Sequence, residues 1–231
     1  MKRLIFVFVA MLLLSSCGDN PEETLIVKGN IKGLKKGMLY LQHVPDSTLV
    51  SVDSVAINGD GNFSFKTKLE SPEVFYLYLD KKDNNDINDR ITFFAEPGTI
   101  TINTDWNTFD TTAKISGSES NDKLEEYRKT MSSINKRNME IMLNASQSDN
   151  ELNQINIDSL QNISDRNTQR GYAYAINFAL NNKNSYVAPY IALKEIPDAN
   201  KKYLDSIYGV LSPEVASSKY GKELEVFLKK N

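Results

Sequence analysis

The stretch "AKISGSESNDKLEEYRKTM", Ala113 to Met131, is where the chain changes its hydrophobic period. Upstream of Gly117, apolar residues tend to recur at every second position, the repeat of a strand wetted on one face. Downstream, Leu124, Tyr127, Met131, Ile134, Ile141 and Ala145 fall at helical intervals, with Asn138 in one core-facing slot. That spacing describes a long amphipathic helix. The expected fold is therefore α+β: an antiparallel β-sandwich over residues 24–117, then an all-helical region over residues 118–231 built on a long helical hairpin.

Seven or eight strands are expected in the first part. "TLIVKGNIK" (24–32), "GMLYLQH" (37–43), "TLVSVDSVAI" (48–57), "GNFSFKTKL" (61–69), "EVFYLYL" (73–79), "RITFFAE" (90–96), "GTITINT" (98–104) and "TAKIS" (112–116) are rich in β-branched and aromatic residues and are separated by Gly, Asn, Asp and Pro. Phe63, Phe65 and Leu69 alternate with Ser64, Lys66 and Lys68, so that strand has one wet face. Val74 to Leu79 is apolar on both faces and reads as a central, doubly covered strand. The turn Asn58-Gly59-Asp60-Gly61 accepts positive φ cheaply and closes a hairpin. In the second part, Ser148-Asp149-Asn150-Glu151 is a capping-box pattern opening a helix that runs to about Leu180 with a thin apolar face. Shorter helices follow at about 185–193, 198–208 and 219–229, and Ser212-Pro213-Glu214 marks one more helix start.

The amino terminus reads as a sorting signal. Lys2 and Arg3 precede an unbroken apolar run, Leu4 to Leu14, which is shorter than the roughly 20 residues a spanning helix needs. Leu14-Ser15-Ser16-Cys17 resembles the bacterial lipobox, which implies cleavage before Cys17 and lipid on its sulfur. Residues 1–16 are then a lipoprotein signal peptide. Residues 17–23, short, polar and acidic, are a tether compatible with sorting to the outer membrane, on its periplasmic side or at the cell surface. Several acyl chains on one residue, at about 0.8 kcal/mol per buried methylene, hold a domain at a membrane stably.

Charge and cysteine counts exclude several functions. Without Lys2 and Arg3 the 27 basic residues become 25, against 30 acids, which argues against a nucleic-acid partner. Cys17 is the only cysteine. With its sulfur committed to lipid, disulfide stapling, thiol redox chemistry and cysteine-ligated zinc are all ruled out.

The segments "VKGNIKGLKKGMLYLQ", "DSVAINGDGNFSF", "FFAEPGTITI" and "SGSESNDKLEEY" are similar, in order and spacing, to an amino-terminal module of unassigned function in lipoproteins of Gram-negative bacteria. In that family the module usually precedes a thioredoxin-like domain of the AhpC/TSA or TlpA thiol:disulfide interchange type, and "LSPEVASSKYGKEL" (211–224) resembles the connector before it. The chain stops at Asn231, where such a domain would begin, and has no Cys-x-x-Cys motif, so the family's redox activity transfers to no residue here. What the resemblance implies is the scaffold and an envelope address.

Other chemistry has thin support in the sequence. His43, the only histidine, reads as a partly exposed strand-end residue. Asp80, Asp83, Asp86 and Asp89 share one loop and are weak calcium candidates, since the loop lacks the glycine and distal Glu of an EF-hand. Glu96 closes an apolar strand without an evident partner acid. Trp106, Tyr172, Tyr174, Tyr186 and Tyr190 read as core-filling more readily than sugar-stacking. No cofactor is expected. Three classes stay open: a non-catalytic binding or interaction module anchored by lipid that docks another envelope protein; an accessory to a thiol-redox pathway; and a glycan-binding protein or hydrolase.

Overall fold

The computed structural model describes residues 23–81, 89–146 and 154–230. Eight strands come first among them: β1 (Thr24–Lys32), β2 (Lys36–His43), β3 (Val50–Asn58), β4 (Asn62–Lys68), β5 (Glu73–Asp80), β6 (Arg90–Ala95), β7 (Gly98–Asp105) and β8 (Lys114–Ser116). They form two four-stranded sheets, ordered β4-β1-β7-β8 and β3-β2-β5-β6. The alternating apolar residues meet between the sheets. Leu25, Val27 and Ile31 of β1, Phe63 and Phe65 of β4, and Ile100 and Ile102 of β7 face Leu39, Leu41, Phe75, Leu77, Ile91 and Phe93 of the second sheet in one core.

The sandwich is not wholly antiparallel. Leu25 to Lys32 of β1 pair in parallel with Gly98 to Asp105 of β7, while the other five pairings run antiparallel. Five strands separate these two partners along the chain, and local alternation carries no information about a pairing so distant. Gly29 makes the approach possible: a Cβ there would stand 1.7 Å from the Ile102 carbonyl oxygen.

The helical region consists of α1 (Glu119–Ser146), α2 (Gln154–Asn181), α3 (Val187–Tyr190) running into a π-type turn over Ile191–Glu195, α4 (Lys201–Val210), α5 (Pro213–Ser217) and α6 (Lys219–Lys230). It covers the outer face of the second sheet at one end. Val74 of β5 and Phe94 of β6 leave the sandwich core and enter a second core with Leu124, Phe178, Ile191 and Leu224. The Phe94 ring stands edge-on to Tyr190 and Tyr220, with centroids 5.9 and 6.0 Å away. Burial of a ring this size contributes about 2 kcal/mol. β5 is thus covered on both faces at its start, as its unbroken apolar run implies.

The switch from strand to helix is built from small residues. Gly117 adopts φ +97°, and a Cβ there would meet the Thr99 carbonyl oxygen at 2.2 Å. Ser118 follows as the cap of α1, its Oγ accepting from Asn121 N at 3.0 Å. The long hairpin is buried only at its base. Leu124 and Tyr127 are enclosed, Met131, Ile134, Asn138 and Ile141 are half-buried, and Met139 and Met142 are 64% and 66% exposed. The capping pattern 148–151 and the side chain of Ala145 lie outside the described residues. Among the described residues no helix is long and apolar enough to cross a membrane.

Candidate functional site

A cleft of about 800 Å³ opens where the sandwich meets the helices. Its sandwich wall is the end of β2 with the following turn, His43 to Asp46, and the β4–β5 connection from Lys68 to Phe75. Its helical wall is Tyr186, Glu214 of α5 and the start of α6.

A three-residue polar chain joins the walls. His43 ends β2 on the strand's inward face, stacked on Phe75 with centroids 4.9 Å apart. Its Nδ1 lies 3.1 Å from Glu73 Oε1. The other Glu73 oxygen accepts from Lys219 Nζ, which also donates to the Val44 carbonyl oxygen at 2.6 Å. The Lys219 amide donates to Ser71 Oγ at 2.9 Å, and one residue on, Tyr220 Oη accepts from Val74 N at 3.1 Å. Glu73 is only 7% exposed. A carboxylate so enclosed requires a partner charge, and Lys219 supplies it from the opposite wall. Burial raises the Tyr220 hydroxyl pKa, with the neighbouring Glu73 charge adding to it, so this bridge stays protonated. Tyr186 Oη donates to Glu214 Oε1 at 2.5 Å, and burial together with that bond raises its pKa as well.

The cleft's serines are occupied elsewhere. Ser217 Oγ donates to the Glu214 carbonyl oxygen at 2.9 Å, and Ser218 Oγ donates to that of Val215 at 2.6 Å. Ser71 holds the Lys219 amide. A nucleophile must bond to its base, and none of the three bonds to His43.

The remaining sequence candidates scatter. Glu96 accepts from Ser118 Oγ at 2.8 Å and from Ser120 N and Oγ at 3.1 and 2.7 Å, so its carboxylate serves the first turn of α1. That is where helix geometry favours a negative charge. Asp89 is buried and ion-paired with Lys81. Asp80 is half-buried at the end of β5, while Asp83 and Asp86 lie outside the described residues, as does Cys17. No group of three or more metal-ligating side chains occurs among the described residues. Tyr190 is in the helical core and Tyr172, Tyr174 and Tyr186 pack against it, Tyr174 stacking on Tyr127 at 5.7 Å and Tyr172 donating to Asp198 at 2.6 Å, while Trp106 lies against Gly33. Sequence reasoning singled out His43 but neither Glu73 nor Lys219. Glu73 opens an apolar strand as Glu96 closes one, which was the available signal; its partner lies 146 positions away.

Comparison with known families bears on the sandwich. Residues 25–124 match a domain of unknown function, DUF4369. The DUF4369 span runs from β1 through the first turn of α1 and so includes Glu96, Ser118 and Ser120. Three of the four resembling segments fall wholly inside it and the fourth, residues 116–127, begins inside it. No curated protein and no solved structure matches the chain. Of the cleft, His43, Glu73 and the β4–β5 connection lie within the matched span, whereas Lys219 comes from the helices beyond it.

Proposed function

We propose that this chain is a lipid-anchored, non-catalytic binding module of the cell envelope, held at the outer membrane through Cys17, and that the cleft between the DUF4369 sandwich and the helices docks another envelope protein. The observation that carries the reading is the His43–Glu73–Lys219 chain: it joins both walls of an open cleft, and among the described residues no nucleophile is bonded to the histidine. Concave sites between packed units are where ligands ordinarily bind. The signal segment and the lipobox-like Leu14-Ser15-Ser16-Cys17 support the address, and the acidic balance speaks against nucleic acid.

Two measurements test it. Intact mass of membrane-extracted protein is expected to give a chain that begins at Cys17 and carries acyl mass; a chain lacking that mass ends the anchor. A photo-crosslinking residue at Lys222, on the cleft, is expected to capture one reproducible envelope partner in living cells, while the same residue at Lys114 of β8 does not. Equal labelling at the two positions removes the cleft from the reading.

A further inference from the structure

The seam between α1 and α2 leaves two methionines over. Leu124, Tyr127, Met131, Ile134, Asn138 and Ile141 follow one another in steps of three and four, and they form the enclosed and half-buried side of α1. Met139 and Met142 each come one residue after a seam position, about 100° around the helix. They are 64% and 66% exposed, and Leu143 beside them is half exposed. Packing within the hairpin does not account for these three side chains.

Their neighbours are cations. Lys129, Lys136 and Leu143 recur at seven-residue intervals and so lie along one side of α1, with Met139 between the last two and Arg137 flanking Lys136. Lys129, Lys136 and Arg137 are exposed, and none of them is ion-paired among the described residues. From Arg128 to Ser146 the only acid is Glu140, although the chain as a whole has a formal net charge of -3. Exposed apolar side chains on a basic helix face are the pattern of a helix that lies in a membrane interface. A second copy of the chain would instead set this positive face against an identical one, and like charges oppose such a contact.

The path of the chain brings a membrane within reach. Leu25, at the start of β1, pairs with Gly98 at the start of β7, and Gly117, before α1, abuts the Thr99 carbonyl oxygen. The entry into the sandwich and the root of α1 therefore lie at the same end. Residues 17–22 extend at most about 20 Å, and Lys136 stands about 25 Å along α1 from Glu119. A membrane held by lipid on Cys17 is close enough for the distal half of the hairpin to lie against it.

We infer that the outward side of α1 around Met139 rests on the membrane, with Lys129, Lys136 and Arg137 pairing with anionic phospholipid headgroups while Met139, Met142 and Leu143 enter the interface. The inference rests on the lipid anchor of the proposed function for the nearness of the membrane, and adds a second contact with the same surface. That contact fixes which way the body of the protein faces.

The test uses the membrane-extracted protein reconstituted in vesicles, with a nitroxide on Met139→Cys and intact mass confirming one label per chain. The vesicles are phosphatidylcholine alone, or phosphatidylcholine with about 30% phosphatidylglycerol. On the anionic vesicles the label at 139 is expected to gain collisions with oxygen and lose those with a water-soluble nickel chelate. A label on Gln169→Cys, on the side of α2 away from α1, is expected to stay in water. Replacing Lys129, Lys136 and Arg137 together by Gln is expected to shift the contact about a hundredfold toward water, since each cation contributes about fivefold. A label at 139 that stays in water on anionic vesicles, enters phosphatidylcholine equally well, or shows dipolar broadening from a second copy overturns the inference. Immobilisation of the label only when an acidic protein is bound overturns it too, and assigns the face to that protein. Absence of acyl mass refutes the anchor instead; Cys17→Ser labelled at 139 and mixed with anionic vesicles then reads the face by itself, so the two readings fail separately.

Discussion

Ser118 Oγ lies 2.8 Å from Glu96 Oε2, so the residue after β6 and the residue before α1 are hydrogen-bonded across the point where strands give way to helices. The same hydroxyl oxygen accepts from Asn121 N, and Asn121 Oδ1 accepts from Phe94 N at 3.0 Å. Loss of a cap of this kind costs about 1 kcal/mol. Ser118→Ala and Glu96→Ala are each expected to destabilise by about 1–2 kcal/mol in urea, with the double variant costing less than the two together because they share one bond. Full additivity in the cycle would disprove the coupling.

Glu73 and Lys219 make a second connection, across the cleft. Glu73→Gln removes the charge and leaves the enclosed ammonium unpaired, at a cost of about 3 kcal/mol. Replacing both, Glu73→Leu with Lys219→Met, is expected to recover most of that loss, since a buried pair returns little net stability relative to apolar packing. Denaturant midpoints of the three proteins decide it.

The Tyr127 hydroxyl is buried with no hydrogen-bond partner among the described residues, stacked beneath Tyr174. A polar group in that position is a standing cost. Tyr127→Phe is expected to stabilise the protein by about 1 kcal/mol, raising the melting temperature by about 2–4 °C. A lower melting temperature would show that the hydroxyl has a partner after all.

Alkaline stability follows from the same tyrosines. Burial raises the pKa values of Tyr127, Tyr186 and Tyr220 above the ordinary value of about 10, so folding favours their protonated forms. The unfolded chain gives up these protons first. Their contribution is therefore complete below about pH 10 and is lost as the pH climbs toward the folded values. Melting temperatures measured from about pH 9 to about pH 11 should fall, and Tyr186→Phe should flatten the decline; an identical slope in that variant would assign the alkaline loss elsewhere.

Gly117 is strained for any other residue. Gly117→Ala places a Cβ against the Thr99 carbonyl oxygen at positive φ, and a loss of about 1–3 kcal/mol is expected on thermal unfolding. An unchanged melting temperature would mean that the turn relaxes.

What the sequence conveyed was local. The eight strand segments, the break at Gly117 and the helix start at Ser212 are written in alternation, turn residues and caps within a few positions of each other. The cleft is not local. His43 alone is a strand-end residue, and it gains meaning from Glu73, 30 positions on, and from Lys219 beyond that. No periodicity links such positions. Asp89 is ion-paired with Lys81, and Glu96 anchors the start of α1, a role that needs Ser118 and Ser120 folded beside it.

The parallel seat of β1 beside β7 also fixes an order of events. β1 has one neighbour ending at Lys68 and another ending at Asp105, so a chain emerging from its amino terminus can close one side of β1 long before the other. Until residues 98–105 arrive, the first strand presents an open row of backbone donors and acceptors, the surface on which extended chains aggregate. Completion of the sheet waits on a contact 73 residues apart, the one between Asn30 N and Asn103 Oδ1, and such distant closures fold slowly. Until that contact closes, the open edge of β1 is a segment to be kept apart from neighbouring chains.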